Sequence, residues 1–160
     1  MSVDRDWLAF MPLCAAVLHI GEEFVFPGGF AQWYRGYRRE AKRITPRFLI
    51  IVNVALVSAC LIIIQLRGTP TGVAYWLTFS ALMCSNGIWH AWASYRSHSY
   101  SPGVITGVAV YGPMAIYGFA HYLRIGAAST GTAVVAALIG GSYHLWSALY
   151  HKPEAGRSVG

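Results

Sequence analysis

The 160-residue chain is 56% apolar and 14% aromatic but only 11% charged, which excludes an ordinary soluble domain and marks an all-α membrane protein. Its 3 cysteines, Cys14, Cys60 and Cys84, stand without CxxC spacing, so packing thiols are expected rather than a thiol metal or redox site. A net charge of +6 would suit nucleic acid in a soluble protein, but most of the cations fall in one juxtamembrane stretch. Anionic lipid headgroups account for them there, and no nucleic-acid partner is expected.

Apolar runs of about 20 residues, the length a helix needs to cross the hydrocarbon layer, recur near 6–28, 47–66, 72–95, 103–123 and 130–150. They predict a five-transmembrane-helix bundle in a single membrane domain, 1–160. The first run has neither a basic leader nor a small-residue cleavage site and is expected to be a retained helix. It stops at the breaker cluster Pro27-Gly28-Gly29. Over 30–45, Phe30, Trp33, Tyr34 and Tyr37 fall at i, i+3, i+4 and i+7, while Arg35, Arg38, Arg39, Lys42 and Arg43 take other positions. That pattern predicts an interfacial amphipathic helix, with rings toward acyl chains and cations toward phosphates; a solvated basic loop is the plainer alternative.

The second span is aliphatic apart from Asn53, and the third ends in Asn86-Gly87-Ile88-Trp89-His90. The fourth opens after Tyr100-Ser101-Pro102-Gly103. Pro102 there suits a first helical turn, Gly103 and Gly107 form a small-residue face, and Gly112-Pro113 should kink the helix midway. The fifth carries Gly140-Gly141-Ser142-Tyr143-His144. No internal repeat is visible, which weighs against the inverted-repeat plan of many transporters.

Orientation follows from the loop cations. Arg35, Arg38, Arg39, Lys42, Arg43 and Arg47 crowd the first loop, whereas the loops after the second and fourth spans hold only Arg67 and Arg124. The N-terminus is therefore expected outside and the C-terminus, with Lys152 and Arg157, in the cytoplasm, in a bacterial cytoplasmic membrane. Counting about 1.5 Å per residue from the cytoplasmic side, His19, Glu22, Glu23, Asn53, His90 and His144 share one layer. His121 falls near the outer face, and His98 and His151 lie in or near cytoplasmic loops.

His19, Glu22 and Glu23, at i, i+3 and i+4, address one object from one helical face. Asn86 and His90 repeat that arrangement on the third span. Carboxylates within a membrane cost several kcal/mol if charged and unpaired, and no Lys or Arg lies inside a predicted span. The glutamates must be protonated, reach toward interfacial arginines, or bind a metal cation with neutral imidazoles. Three histidines and one or two carboxylates suit Zn²⁺, or an iron or manganese pair if both carboxylates bridge. The expected metal ligands are His19, Glu23, His90 and His144. Glu22 is the candidate general base, although which glutamate is ligand and which is base stays open. Asn53 and Asn86 are candidates to orient ligands or stabilise an oxyanion. Purely structural packing of these residues is the plainer alternative.

His19-Ile20-Gly21-Glu22-Glu23, a further histidine (His90 or His144) and Tyr100-Ser101-Pro102-Gly103 together resemble a family of small integral-membrane proteins. That family is defined by an HXXEE motif, a further histidine and a YXPG motif. It is named for its motif and not for an activity, so the resemblance implies a site without a substrate. Tyr100 could close the mouth of that site or bind a headgroup.

Two classes of function are open. One is an intramembrane enzyme near the cytoplasmic leaflet. Zinc-type hydrolysis of a lipid or lipid-linked substrate is preferred there, with metal-free acid-base isomerisation of a sterol-like lipid as a variant. The other is a proton- or cation-coupled transporter. Leu13 to Leu18 offers only Cys14, and Val54 to Ile64 only Ser58 and Cys60, as polar groups toward the outer face. That asymmetry favours a one-sided pocket, unless a homo-oligomer supplies the rest.

Overall fold

Thr-Pro pairs start two of the long helices. Thr45 accepts a hydrogen bond from the Phe48 amide and Thr69 from the Gly72 amide, and each proline takes the first turn, where no amide donor is needed. A computed structural model describes residues 7–37 and 45–150, all helix and connection with no strand among the described residues. A 3₁₀ turn, Trp7–Phe10, leads into α1 (Met11–Phe24), followed by α2 (Phe30–Tyr37), α3 (Pro46–Gln65) and α4 (Pro70–Ser97). Then come α5 (Val104–Arg124) and α6 (Thr130–Tyr150). Arg38, Arg39, Lys42, Arg43, His151, Lys152 and Arg157 lie outside the described residues.

Three segments, Trp7–Phe24, Pro46–Gln65 and Val104–Arg124, are long and apolar enough to cross a membrane. On α3 the apolar side chains face outward: Ile50, Ile51 and Val54 are 62%, 66% and 59% exposed. A surface of that kind is stable against lipid and costly against water. α4 is longer, at 28 residues, but its tryptophans, tyrosines, Asn86 and His90 dilute its hydropathy.

α4 is the axis of the molecule. α6 lies along it so closely that a Cβ on Gly140 would fall 2.1 Å from the Thr78 carbonyl oxygen. α5 crosses it where Gly87 meets Gly107, and a Cβ on Gly87 would stand 2.3 Å from the Gly107 carbonyl oxygen. The half of the bundle away from α2 is an apolar core in which Trp76 packs on Gly118 and Tyr122 and donates its indole N–H to the Leu8 carbonyl. Cys60 is buried in the same core, and no cysteine is paired among the described residues.

Two expectations are corrected. The α2 rings do not turn to acyl chains: Phe30, Trp33, Tyr34 and Tyr37 all pack around Trp89 of α4, and Trp33 donates to the Ser99 hydroxyl at 3.0 Å. Trp89 offers an aromatic face that gains more from ring packing than from lipid. The fourth span opens after the Tyr100 to Gly103 stretch, as expected, but Pro102 lies in the turn before it instead of its first helical turn, and Gly103 is its left-handed cap. The irregularity expected at Gly112-Pro113 takes the form of a π-turn over Gly107–Tyr111, immediately ahead of the proline.

Candidate metal centre

The last turns of α1 and α4 and the first turn of α5 converge at the end of the bundle that α2 covers. His19, Glu22, Glu23, His90 and Ser101 are all buried there. The two adjacent glutamates point to different partners.

Glu22 closes on the start of α5. Its Oε1 accepts from the Tyr100 hydroxyl and from the Ile105 amide at 3.0 Å; its Oε2 accepts from the Thr106 amide at 2.7 Å and hydroxyl at 2.6 Å. Four donors saturate a carboxylate that has nothing to donate, so Glu22 is ionised and held against a helix N-terminus. Tyr100 is 41% exposed. Burial of its ring edge, and then its bond to Glu22, push the phenol above its usual value, so it remains a donor.

The Thr106 proton lies on Glu22, so its oxygen accepts, at 2.8 Å, from Nδ1 of His19. This commits Nδ1 to Thr106 and turns Nε2 toward the centre. That nitrogen faces the Asn86 amide at 3.1 Å and Glu23 Oε1 at 3.5 Å. His90 is placed in the same way, with Nδ1 on the Ser101 hydroxyl at 3.0 Å and Nε2 3.3 Å from the same Glu23 oxygen. The ligand atoms of His19, Glu23 and His90 lie within 4.8 Å of one another. Two imidazoles anchored through Nδ1 by hydroxyls, with both Nε2 atoms aimed at one carboxylate oxygen, form the arrangement that metal ligands need.

Gly103 sits over the pair. Its φ is +101°, and a Cβ there would stand 2.7 Å from His90 Cε1 and 2.8 Å from His19 Cε1. The Tyr-x-Pro-Gly stretch thus serves the centre at three positions: Tyr100 binds Glu22, Ser101 anchors His90, and Gly103 leaves room for both rings.

His144, an expected ligand, is not in this group. Its ring stacks on Trp89 at 5.9 Å, and its Nε2 has no hydrogen-bond partner among the described residues. Asn53 is half-buried on α3 and makes none of the contacts of the centre. Glu22, the candidate base, has both oxygens engaged. Thr106 and Ser101 went unnoticed in the sequence because their importance depends on a loop that folds back over α1, although Ser101 stood inside a recognised motif. Tyr111 was also missed. Its ring lies 4.6 Å from that of His19, and its side chain is 1% exposed.

The family described as "Protein of unknown function with HXXEE motif" matches residues 7–118. The chain belongs to that family. The matched segment holds the whole centre, His90 and the Tyr100 to Gly103 stretch included, and ends before α6 and His144. No curated protein and no solved structure matches the chain.

Proposed function

We propose that this HXXEE protein is an intramembrane metalloenzyme whose ion is held by His19, Glu23 and His90, and that it hydrolyses a lipid or lipid-linked substrate. The observation that carries the metal is the pair of distances from Glu23 Oε1 to the two imidazole nitrogens, 3.5 and 3.3 Å. They are longer than the roughly 2.7–2.9 Å of a charge-assisted hydrogen bond. They match the edge of a tetrahedron built on bonds of about 2.0–2.2 Å, roughly 3.3–3.5 Å, as in zinc sites.

Two nitrogens and one carboxylate oxygen leave one position open, as in catalytic zinc sites. Such an ion would supply a water activated near neutral pH, which matters here because Glu22 has no free oxygen to act as base. An iron or manganese pair needs more free carboxylate oxygens than Glu23 alone provides. Asn86, 3.1 Å from His19 Nε2, would have to yield that nitrogen to an ion.

In this reading five helices cross the membrane, with the N-terminus outside and the C-terminus cytoplasmic. The centre then lies in the cytoplasmic leaflet under α2, and the basic residues of the Arg35 to Arg47 sequence would hold anionic headgroups. A one-sided pocket is favoured over a transport path because the buried histidines and glutamates among the described residues all lie at the end that α2 covers, and the other half of the bundle is packed with Met114, Trp76, Tyr122 and Leu8.

Elemental analysis of purified protein tests the centre. We expect one equivalent of divalent metal in the parent and in His144→Ala, and loss of metal in Glu23→Gln and His90→Ala. Metal retained in both of the last two would overturn the ligand assignment. A metal-free parent would replace this reading with proton exchange between Glu23 and the imidazoles, the chemistry of an isomerase.

A further inference from the structure

Tyr111 is the fully buried polar group beside the centre that the arrangement above does not use. Its side chain is 1% exposed, its ring packs against His19 at 4.6 Å, and its hydroxyl has no hydrogen-bond partner among the described residues. A buried hydroxyl left unpaired is destabilising, and phenylalanine would fill the same space without that cost.

The backbone brings Tyr111 there by a local irregularity. Thr106 and Tyr111 are five apart, a spacing that an ordinary α-helix turns to different faces. The π-turn over Gly107–Tyr111, with the Gly112 amide bonded to the Gly107 carbonyl, brings positions five apart onto one face. Thr106 thereby meets the edge of the His19 ring while Tyr111 meets its face. π-turns of this kind cluster at functional sites.

We infer that the Tyr111 hydroxyl is the donor that binds the oxygen of a ligand seated at the His19–Glu23–His90 centre, so that the site selects ligands presenting a carbonyl, carboxylate or similar acceptor oxygen. The inference rests on the metal reading and assigns the donor that it lacks. Tyr111 is then a substrate-contacting residue with no part in holding the ion. His121 and His144, each with a ring nitrogen that lacks a partner among the described residues, stand against Tyr117 and Trp89 and are not in the His19–Glu23–His90 group.

The test uses the full-length protein in detergent, loaded with Co²⁺, with acetohydroxamate as probe and the visible cobalt spectrum as readout. Tyr111→Phe should take up cobalt with parental stoichiometry, bind acetohydroxamate about 10- to 100-fold more weakly, as loss of one hydrogen bond to a charged ligand implies, and melt at or above the parental temperature. Equal acetohydroxamate affinity in the two proteins would overturn the inference while leaving the metal centre intact. A lowered melting temperature would also overturn it, by showing that the hydroxyl has a structural partner. Failure of the parent to take up cobalt would remove the metal reading and this inference with it.

Discussion

The last turn of α1 has two sides, and they have opposite characters. On the side facing α5, Glu22 is saturated: four donors from Tyr100, Ile105 and Thr106 close on its two oxygens. On the side facing α4, Glu23 meets no amide or hydroxyl donor among the described residues; one of its oxygens stands 3.5 and 3.3 Å from the Nε2 atoms of His19 and His90. Neighbours in sequence thus divide into an anchor and the proposed ligand. A carboxylate whose acceptor sites are all filled anchors the fold, whereas one that meets only two imidazole nitrogens at longer range keeps acceptor capacity.

The comparison breaks most completely at the residue that touches both sides. Gly103→Ala forces a left-handed backbone on alanine and drives a Cβ into both imidazoles, so we expect a loss of about 3–5 kcal/mol in thermal unfolding, with metal content falling too. If the variant folds normally and retains metal, the placement of Gly103 is wrong. Glu22→Gln comes next. It leaves donors facing an amide that cannot accept from all of them, at a cost of about 2–4 kcal/mol, while the folded fraction keeps its metal. Stable but metal-free Glu22→Gln protein would reverse the assignment of the two glutamates.

Tyr100→Phe removes one of the four donors at a half-exposed position, for about 1 kcal/mol. The Tyr100 phenol is held above its unfolded value, so its contribution is complete below the unfolded value of about 10 and is lost only as pH rises further. The melting difference between Tyr100→Phe and parent should therefore be the same at pH 7 and pH 9; a gap that closes by pH 9 would show that another group governs it. The smallest effect on stability is expected for Glu23→Gln, within about 1 kcal/mol of the parent. A large fall in melting temperature there would make Glu23 a second anchor and erase the contrast.

Much of the fold was legible because hydropathy over about 20 residues is a strong signal. The apolar runs fall on α1, α3, α4, α5 and α6, of which α1, α3 and α5 belong to segments long and apolar enough to cross a membrane, and the starts expected at 47 and 72 lie at Pro46 and Pro70 behind the Thr45 and Thr69 caps. The cluster of His19, Glu23 and His90 was legible from spacing and depth. Depth alone could not separate His90 from His144, since both fall in the same layer. What separates them is rotation about the helix axis, with Trp89 claiming the face of His144. Nor could i, i+3, i+4 periodicity distinguish Glu22 from Glu23, because the donors that capture Glu22 come from residues about 80 positions away. Tyr111 was hidden for another reason: a reading at 3.6 residues per turn does not place a residue that a π-turn has rotated. The same reading sent the α2 rings to lipid, because it recognises an apolar stripe without identifying what covers it.

X-ray absorption at the metal edge of the purified parent tests the central claim most directly, because multiple scattering counts imidazole ligands. Two imidazoles with a shell completed by oxygen are predicted, and one imidazole is expected to be lost in His90→Ala with no change in His144→Ala. A shell with three imidazoles, or with none, would contradict the centre assigned to His19, Glu23 and His90.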